Sequence, residues 1–464
     1  MSGPASAKAS AGLGPAEHRM KIAIVVQRYG ADINGGAELH ARYIAEHLAP
    51  HADVRVLTTC ARDYITWRNE WPAGTEVIGG IAVERFPVAR ERDVFDFRDR
   101  SAVVFNHDHT IQDELGWLDS QGPYSPSLMA RVRNAADECD FLVLFSVRYH
   151  HAYHSARIAP HKAVLVPTAE REASLGLAIY PPVFRGVRAI MYNSFEEQAL
   201  VHALSSNTHV PGVVVGIGSE IPAAVDPDRV RRSYDLKSPF IVYVGRIDAN
   251  KGCADLFRSF LEYIERTGRV LDLVLIGTAV LPIPAHPRIR HLGYVSDADK
   301  FDVIAAAEVL VMPSPYESLS MVALEAWALG KPVLASAKCD VLVGQCLRSN
   351  GGLYYRDSAE FSAALDTLLS DSRVAAGLGD HGRSYYREHY AWPVIEGKYL
   401  EMFERLRTSP PAHVMEPLPN WIRRRRRTVP PAEAVVADLP AGPSRSALGA
   451  HAPRSTTQAA VDAP

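Results

Sequence analysis

The sequence predicts an α/β protein of two doubly wound domains facing a central cleft, with disordered termini. Three observations carry this reading. Short, nearly continuous apolar runs rich in Ile and Val recur along the chain, the pattern of parallel strands buried on both faces. Helix-like stretches separate many of them. Near the middle of the 464 residues the pattern breaks off and starts again. That length allows more than one sizeable core, and a composition of 47% hydrophobic and 22% charged residues is that of a folded globular protein.

Taken in order, residues 1–19 are rich in Ala, Ser, Gly and Pro without the apolar core of a signal peptide, and read as a disordered leader. Residues 20–218 form the first expected domain. Its strands are placed at Lys21–Arg28, Val54–Thr58, Phe141–Phe145, Ala163–Val166, Ala189–Tyr192 and Val213–Ile217, with helices at Ala37–Leu48 and Phe195–Leu204. Glycines and a proline between Gly216 and Pro222 mark the join. The second domain, 219–390, places strands at Phe240–Val244, Leu271–Ile276, Ile289–Leu292, Val309–Met312 and Pro332–Ala335. Helices at Asp255–Ile264, Lys300–Ala307 and Met321–Leu329 lie between them. Residues 391–408 carry helical apolar spacing at Val394, Ile395, Tyr399, Met402, Phe403 and Leu406, with Pro393 suited to a first turn. From Ser409 to Pro464 the text turns to Pro, Ala and Ser and predicts a disordered tail. Within it Arg423, Arg424, Arg425, Arg426 and Arg427 follow Trp421 and Ile422, a run that can touch anionic lipid at about 1 kcal/mol per basic residue.

Composition excludes several classes. Fifty basic and 53 acidic residues leave a net charge of −3, which offers no general field for nucleic acid. Five scattered cysteines without a Cys-x-x-Cys pair indicate neither a disulfide framework nor a zinc knuckle. No stretch reaches the ~18 apolar residues of a spanning helix. A cytoplasmic protein is expected; the arginine run reads first as a solvated charge run in a flexible tail, with weak peripheral contact at the inner face of the membrane as the alternative.

The most informative segment is Val244–Gly252, which sits between a buried strand and a helix. Arg246 offers a planar fork of donors and Lys251 a point charge, a pair suited to a diphosphate. Gly245 and Gly252 allow close backbone approach, and the following helix start adds its positive dipole end. A second segment, Pro313–Pro332, reads as loop then helix, with Ser318 or Ser320 as cap and Gly330 and Pro332 as stop. It puts Glu317 before the helix and Glu325 about two turns on, where both can accept hydrogen bonds from sugar hydroxyls. Glu325 lies amid Ala323, Leu324, Ala326 and Trp327, and an acid in such a setting needs a partner.

The Gly-Arg element with Lys251, followed by Glu317 and Glu325 in a Glu-x7-Glu spacing, resembles the retaining glycosyltransferases of family 4 over residues 20–408. The match runs through Glu-Ala-Trp-Ala-Leu-Gly-Lys-Pro-Val. The resemblance implies the B-type glycosyltransferase fold, two Rossmann-like domains with the last helix crossing back to the first. It implies catalytic roles for Arg246, Lys251 and Glu317, the cations at the donor's diphosphate. It puts Gly245, Ser318, Leu319, Ser320, Glu325 and Val295 in donor binding, Glu325 at the ribose and Val295 near the base. Gly35 and Gly36 match the family's glycine loop near the reaction centre. Glu170 aligns with a position where the family usually carries a histidine, a change that bears on sugar specificity.

The function the resemblance implies is transfer of a hexosyl group, with retention, from a UDP- or GDP-type sugar to a carbohydrate or lipid-linked acceptor in polysaccharide or glycoconjugate synthesis. No cofactor and no metal are expected in the reaction. The alternatives are a non-catalytic nucleotide-sugar-binding protein and a hydrolase or epimerase of the same fold. His107, His109, His150, His151 and His154 read as cleft-lining or surface histidines: His150 and His154 share a helix face, yet sequence shows no third ligand and no His-Glu-x-x-His.

Overall fold

A computed structural model describes residues 19–33, 35–411, 414–418 and 432–437. The expected leader up to residue 18 and the Arg423–Arg427 run lie outside the described residues. The first sheet contains β1 (Lys21–Val25), β2 (Asp53–Thr59), β3 (Gly74–Ile78), β4 (Ile81–Phe86), β5 (Phe141–Phe145), β6 (Ala163–Val166), β7 (Ala189–Tyr192) and β8 (Gly212–Val214). Its order is β3-β4-β2-β1-β5-β6-β7-β8, all parallel except the β3–β4 hairpin at the edge. The second sheet contains β9 (Phe240–Val244), β10 (Asp272–Ile276), β11 (Ile289–Gly293), β12 (Val309–Met312), β13 (Val333–Ser336) and β14 (Gly352–Tyr355), in the parallel order β11-β10-β9-β12-β13-β14. Central strands such as Phe141–Phe145 and Phe240–Val244 are buried at every position, as two-sided coverage by helices requires.

Each sheet reverses direction once. The first proceeds from β1 outward to β2 and resumes beside β1 as β5; the second resumes beside β9 as β12. Loops leaving the carboxyl ends of these neighbours diverge and leave a crevice. The two crevices face each other.

The helix Trp392–Thr408 runs onto the first domain, where Phe403 stacks on Phe141 at 5.0 Å and Trp392 on His47 at 3.6 Å. Among the described residues beyond it, 409–411 and 414–418 make contacts that the expected disorder from Ser409 does not include. Buried Arg188 donates to the carbonyls of Leu406 and Pro410 at 2.7 and 2.9 Å and to that of Ser409. Arg185 pairs with Glu416, and Leu418 packs on the first domain's core. The low apolar content that suggested disorder misses these contacts because backbone carbonyls, not side chains, make the strongest of them. Among the described residues, no helix is long and apolar enough to cross a membrane.

Candidate functional site

The cleft between the domains encloses about 570 Å³. Its second-domain wall begins with the loop after β9. Gly245 adopts φ 149°, outside the reach of most side chains, and Arg246 donates Nη1 to the hydroxyl of Tyr64 across the cleft at 2.7 Å. The Nε of Arg246 pairs with Asp248, whose other oxygen accepts the Lys251 amide at 2.8 Å. One buried aspartate thus bends the loop so that both cations line the cleft. At Gly252, with φ 74°, a Cβ would collide with the carbonyl oxygen of Pro313, so the loop lies directly on the end of β12.

That approach brings Lys251 Nζ to 2.8 Å from Glu317 Oε1. Burial works against the ammonium, but Glu317, through its charge and its hydrogen bond, together with the charge of Glu170 holds the Lys251 pKa above its ordinary value. Glu170, from the loop after β6, faces the same charges. Burial raises its pKa, Lys251 pulls it down and Glu317 pushes it up, for a net rise. Glu325 is 2% exposed, and its Oε1 accepts from Lys300 Nζ at 3.0 Å and Ser219 Oγ at 2.8 Å. Its Oε2 is buried with no partner among the described residues, an acceptor open to a ligand hydroxyl.

Ser318, Leu319 and Ser320 also line the cleft, at the start of the helix Met321–Ala328. Ser320 occupies the cap position at φ 71° without a side-chain capping bond, which differs from the expected serine cap and leaves the first amides of the helix open toward the cleft. This helix start, rather than the one at Cys253, faces the cavity; Cys253 is fully buried. Val295, expected near the base, is 9% exposed and packs into the hydrophobic core, outside the cleft walls among the described residues. A small apolar side chain just past β11 is captured by that core.

On the first-domain wall, Gly35 and Gly36 open the helix Gly36–Leu48. Glu38 folds back over Gly35, where any Cβ would strike its carboxylate, and Arg28 grips Glu38 Oε1 through Nε and Nη2 at 2.8 and 2.6 Å. Ser146 and Thr168, after β5 and β6, hold left-handed φ values of 65° and 48° and share a 2.9 Å hydrogen bond donated by Thr168. Such strain in a β-branched residue costs on the order of 1–3 kcal/mol and collects at functional sites. Arg148 pairs with Glu172 at 2.7 Å and leaves a buried Nε without a partner among the described residues. His40 is held neutral by burial, its pKa lowered to about 3. Of the other histidines, His109 is a buried partner of Glu114 at 3.0 Å.

The structure therefore gathers Gly35, Gly36, Glu170, Gly245, Arg246, Lys251, Glu317, Ser318, Leu319, Ser320 and Glu325 around one cavity. Sequence reasoning missed Arg28, Tyr64, Arg148, Ser219 and Lys300. Arg28 had a usable signal, a charge ending the first buried run; the others depend on contacts between distant segments.

The architecture is the two-domain B-type glycosyltransferase fold. Residues 238–371 match the family model described as Glycosyl transferases group 1, which with the curated relatives below supports a glycosyltransferase superfamily. A curated relative, the MMP alpha-(1->4)-mannosyltransferase of Mycolicibacterium hassiacum, is 34% identical over 154 residues, 30% of this chain and 37% of that protein. The alpha-maltose-1-phosphate synthase of Mycobacterium tuberculosis is 24% identical over 270 residues, covering 54% of this chain and 65% of its own. The chain thus spans less than two thirds of these relatives. Among solved structures, Anabaena HepE in complex with UDP and glucose superposes with a TM-score of 0.60 at 17% identity, over 83% of this chain and all of that one.

Proposed function

We propose that this protein transfers a hexosyl group from a nucleoside diphosphate sugar to a carbohydrate or lipid-linked acceptor, with retention at the anomeric carbon. The observation that carries the reading is the placing of Arg246, Lys251 and an open helix start on one wall of a cleft whose other residues, Glu317 and Glu325, are acceptors for hydroxyls. Cleavage of the bond from the anomeric carbon to phosphate leaves negative charge on the diphosphate and positive character on the ring. Fixed cations and amides aimed at the diphosphate lower that barrier without reorganising, so the leaving group needs no metal partner. The second carboxylate oxygen of Glu325 suits a ribose hydroxyl, and Glu317, held by Lys251, suits the transferred sugar. With the acceptor arriving on the face the diphosphate leaves, retention requires no covalent intermediate. Hexosyl transfer is in keeping with the mannosyltransferase named among the relatives, and a UDP-type donor with the UDP and glucose held by the Anabaena protein; a GDP-type donor and a role in polysaccharide or glycoconjugate synthesis are part of the proposal.

A second reading, a binding protein without turnover, is favoured by one observation: Glu170 puts an additional acid beside Lys251 and Glu317. Thermal-shift screening of UDP- and GDP-sugars, followed by mass spectrometry for released nucleoside diphosphate with and without acceptors, separates the two. Release that rises with acceptor supports transfer. Stabilisation with no release under any acceptor supports the binding protein.

A further inference from the structure

A separate cluster follows directly in the chain on Arg148 and Tyr149, which line the cleft. The helix His150–Ile158 begins directly after Tyr149 and presents His150 and His154 on one face, one turn apart, with ring centres 4.3 Å from each other. Opposite them, the helix Ile111–Gln121 contributes Asp119. The ligand atoms of the three residues lie within 4.8 Å of one another; His150 Nε2 stands 3.6 Å and His154 Nε2 4.0 Å from Asp119 Oδ1.

These separations are too long for hydrogen bonds, and His154 Nε2 is buried with no partner among the described residues. Buried polar atoms are normally satisfied, so His154 Nε2, without a partner among the described residues and turned toward Asp119 across a gap, points to something between them. Tetrahedral zinc with bonds of about 2.0–2.1 Å sets its ligands about 3.3–3.4 Å apart, within a small contraction of the observed spacing. Arg90 and Arg100 lie near the carboxylate and Arg157 and Arg133 near His154, a positive surround that works against every cation, so only an ion bound strongly by imidazole would be held. Two nitrogen donors out of three select the imidazole-preferring ions.

We propose that Asp119, His150 and His154 form a zinc-type site, with water completing four-coordination. The ion would staple the helix Ile111–Gln121 to the helix that starts beside the cleft, outside the donor site. Sequence spacing showed only the two histidines; the third ligand comes from 31 residues upstream of His150 and is found only in the fold.

The test uses the full-length protein after chelator treatment and exchange into buffer, titrated with Zn²⁺ by calorimetry and with Co²⁺ by visible absorption. One equivalent of either ion, the intense d–d bands of tetrahedral Co²⁺ and a melting temperature raised by a few degrees are expected. Asp119→Asn and His154→Asn, both at partly exposed positions, should fold and weaken binding at least ~10-fold each. Absence of uptake by the wild type, or uptake unchanged in both variants, would overturn the assignment. No readout depends on sugar transfer, so failure here leaves the proposed activity untouched.

Discussion

Removal of Lys251 separates the stabilising role of its ion pair from its role at the donor. In Lys251→Ala the carboxylate of Glu317, 14% exposed, loses its one ion-pair partner among the described residues, and Glu170 is left facing it. Breaking a fully buried pair from one side costs ~3–5 kcal/mol. The Lys251 side chain is 32% exposed, so solvent screens part of this and about 1–2 kcal/mol is expected. The double variant Lys251→Ala/Glu317→Gln removes the orphaned charge and should recover most of that loss. Turnover should behave oppositely. The missing cation is worth on the order of 3 kcal/mol in the transition state, about 10²-fold in rate, and the double variant cannot restore it. Urea denaturation at fixed ionic strength and nucleoside diphosphate release measure the two effects on the same samples. Full stability of Lys251→Ala would refute the ion pair, and turnover within threefold of wild type would refute the donor role.

Arg246→Ala should lower turnover about 10²-fold with a modest drop in melting temperature, because its guanidinium is partly exposed and Asp248, the ion-pair partner it leaves, still accepts the Lys251 amide; unchanged turnover would reject its assignment. Turnover should not depend on added Mg²⁺ or Mn²⁺, and a strict requirement for either would point to a different leaving-group chemistry. Stability should fall as pH drops below about 6.5, since the buried His40 and His151, both lowered to about 3, bind protons only on unfolding; each contributes a slope of about 1.4 kcal/mol per pH unit, measurable by denaturation from pH 7 to 5. Burial raises Glu197 to about 8, so its stabilising contribution is present below its ordinary value near 4.5 and is lost as pH rises through about 8; Glu197→Gln should flatten that alkaline decline. Truncation after Thr408 should cost about 1–3 kcal/mol by stripping buried Arg188 of the Ser409 and Pro410 carbonyls, while truncation after Leu418 should leave the melting temperature unchanged.

What was legible in the sequence follows the range of the physics. Strands buried on both faces announce themselves as continuous apolar runs, and Phe141–Phe145, Ala163–Val166, Ala189–Tyr192, Phe240–Val244 and Val309–Met312 fall at their expected bounds. The β3–β4 hairpin escapes this reading because β3 is exposed at Gly74, Thr75, Glu76 and Val77 and carries no apolar pattern. The same holds for the site. Arg246, Lys251 and Glu317 share two short loops and can be read together, whereas Tyr64 joins them from 182 residues away and Ser219 reaches Glu325 across 106. A single-sequence pattern contains no term for such encounters.

Those long-range contacts also decide how the cleft is held. The chain passes from the first domain to the second near Gly216 and Gly218, and returns at Tyr390 and Trp392, whose rings occupy the space that a Cβ on either glycine would need. The two passages are therefore packed on each other, with Tyr43 edge-on to Trp392 at 5.9 Å. At the cleft rim the domains meet instead through polar contacts, Arg171 with Asp340 at 3.0 Å and Arg348 with Glu196 at 2.6 Å, alongside the Arg246–Tyr64 bond. Exposed pairs are worth ~0–1 kcal/mol and weaken with salt, whereas aromatic rings seated on glycine backbone lose contact outright if displaced. Opening should then proceed about the packed crossing, breaking the rim contacts first. Because Arg246 is itself one of those contacts, a diphosphate that captures its guanidinium competes with the Tyr64 bond, and donor binding and rim closure draw on the same side chain.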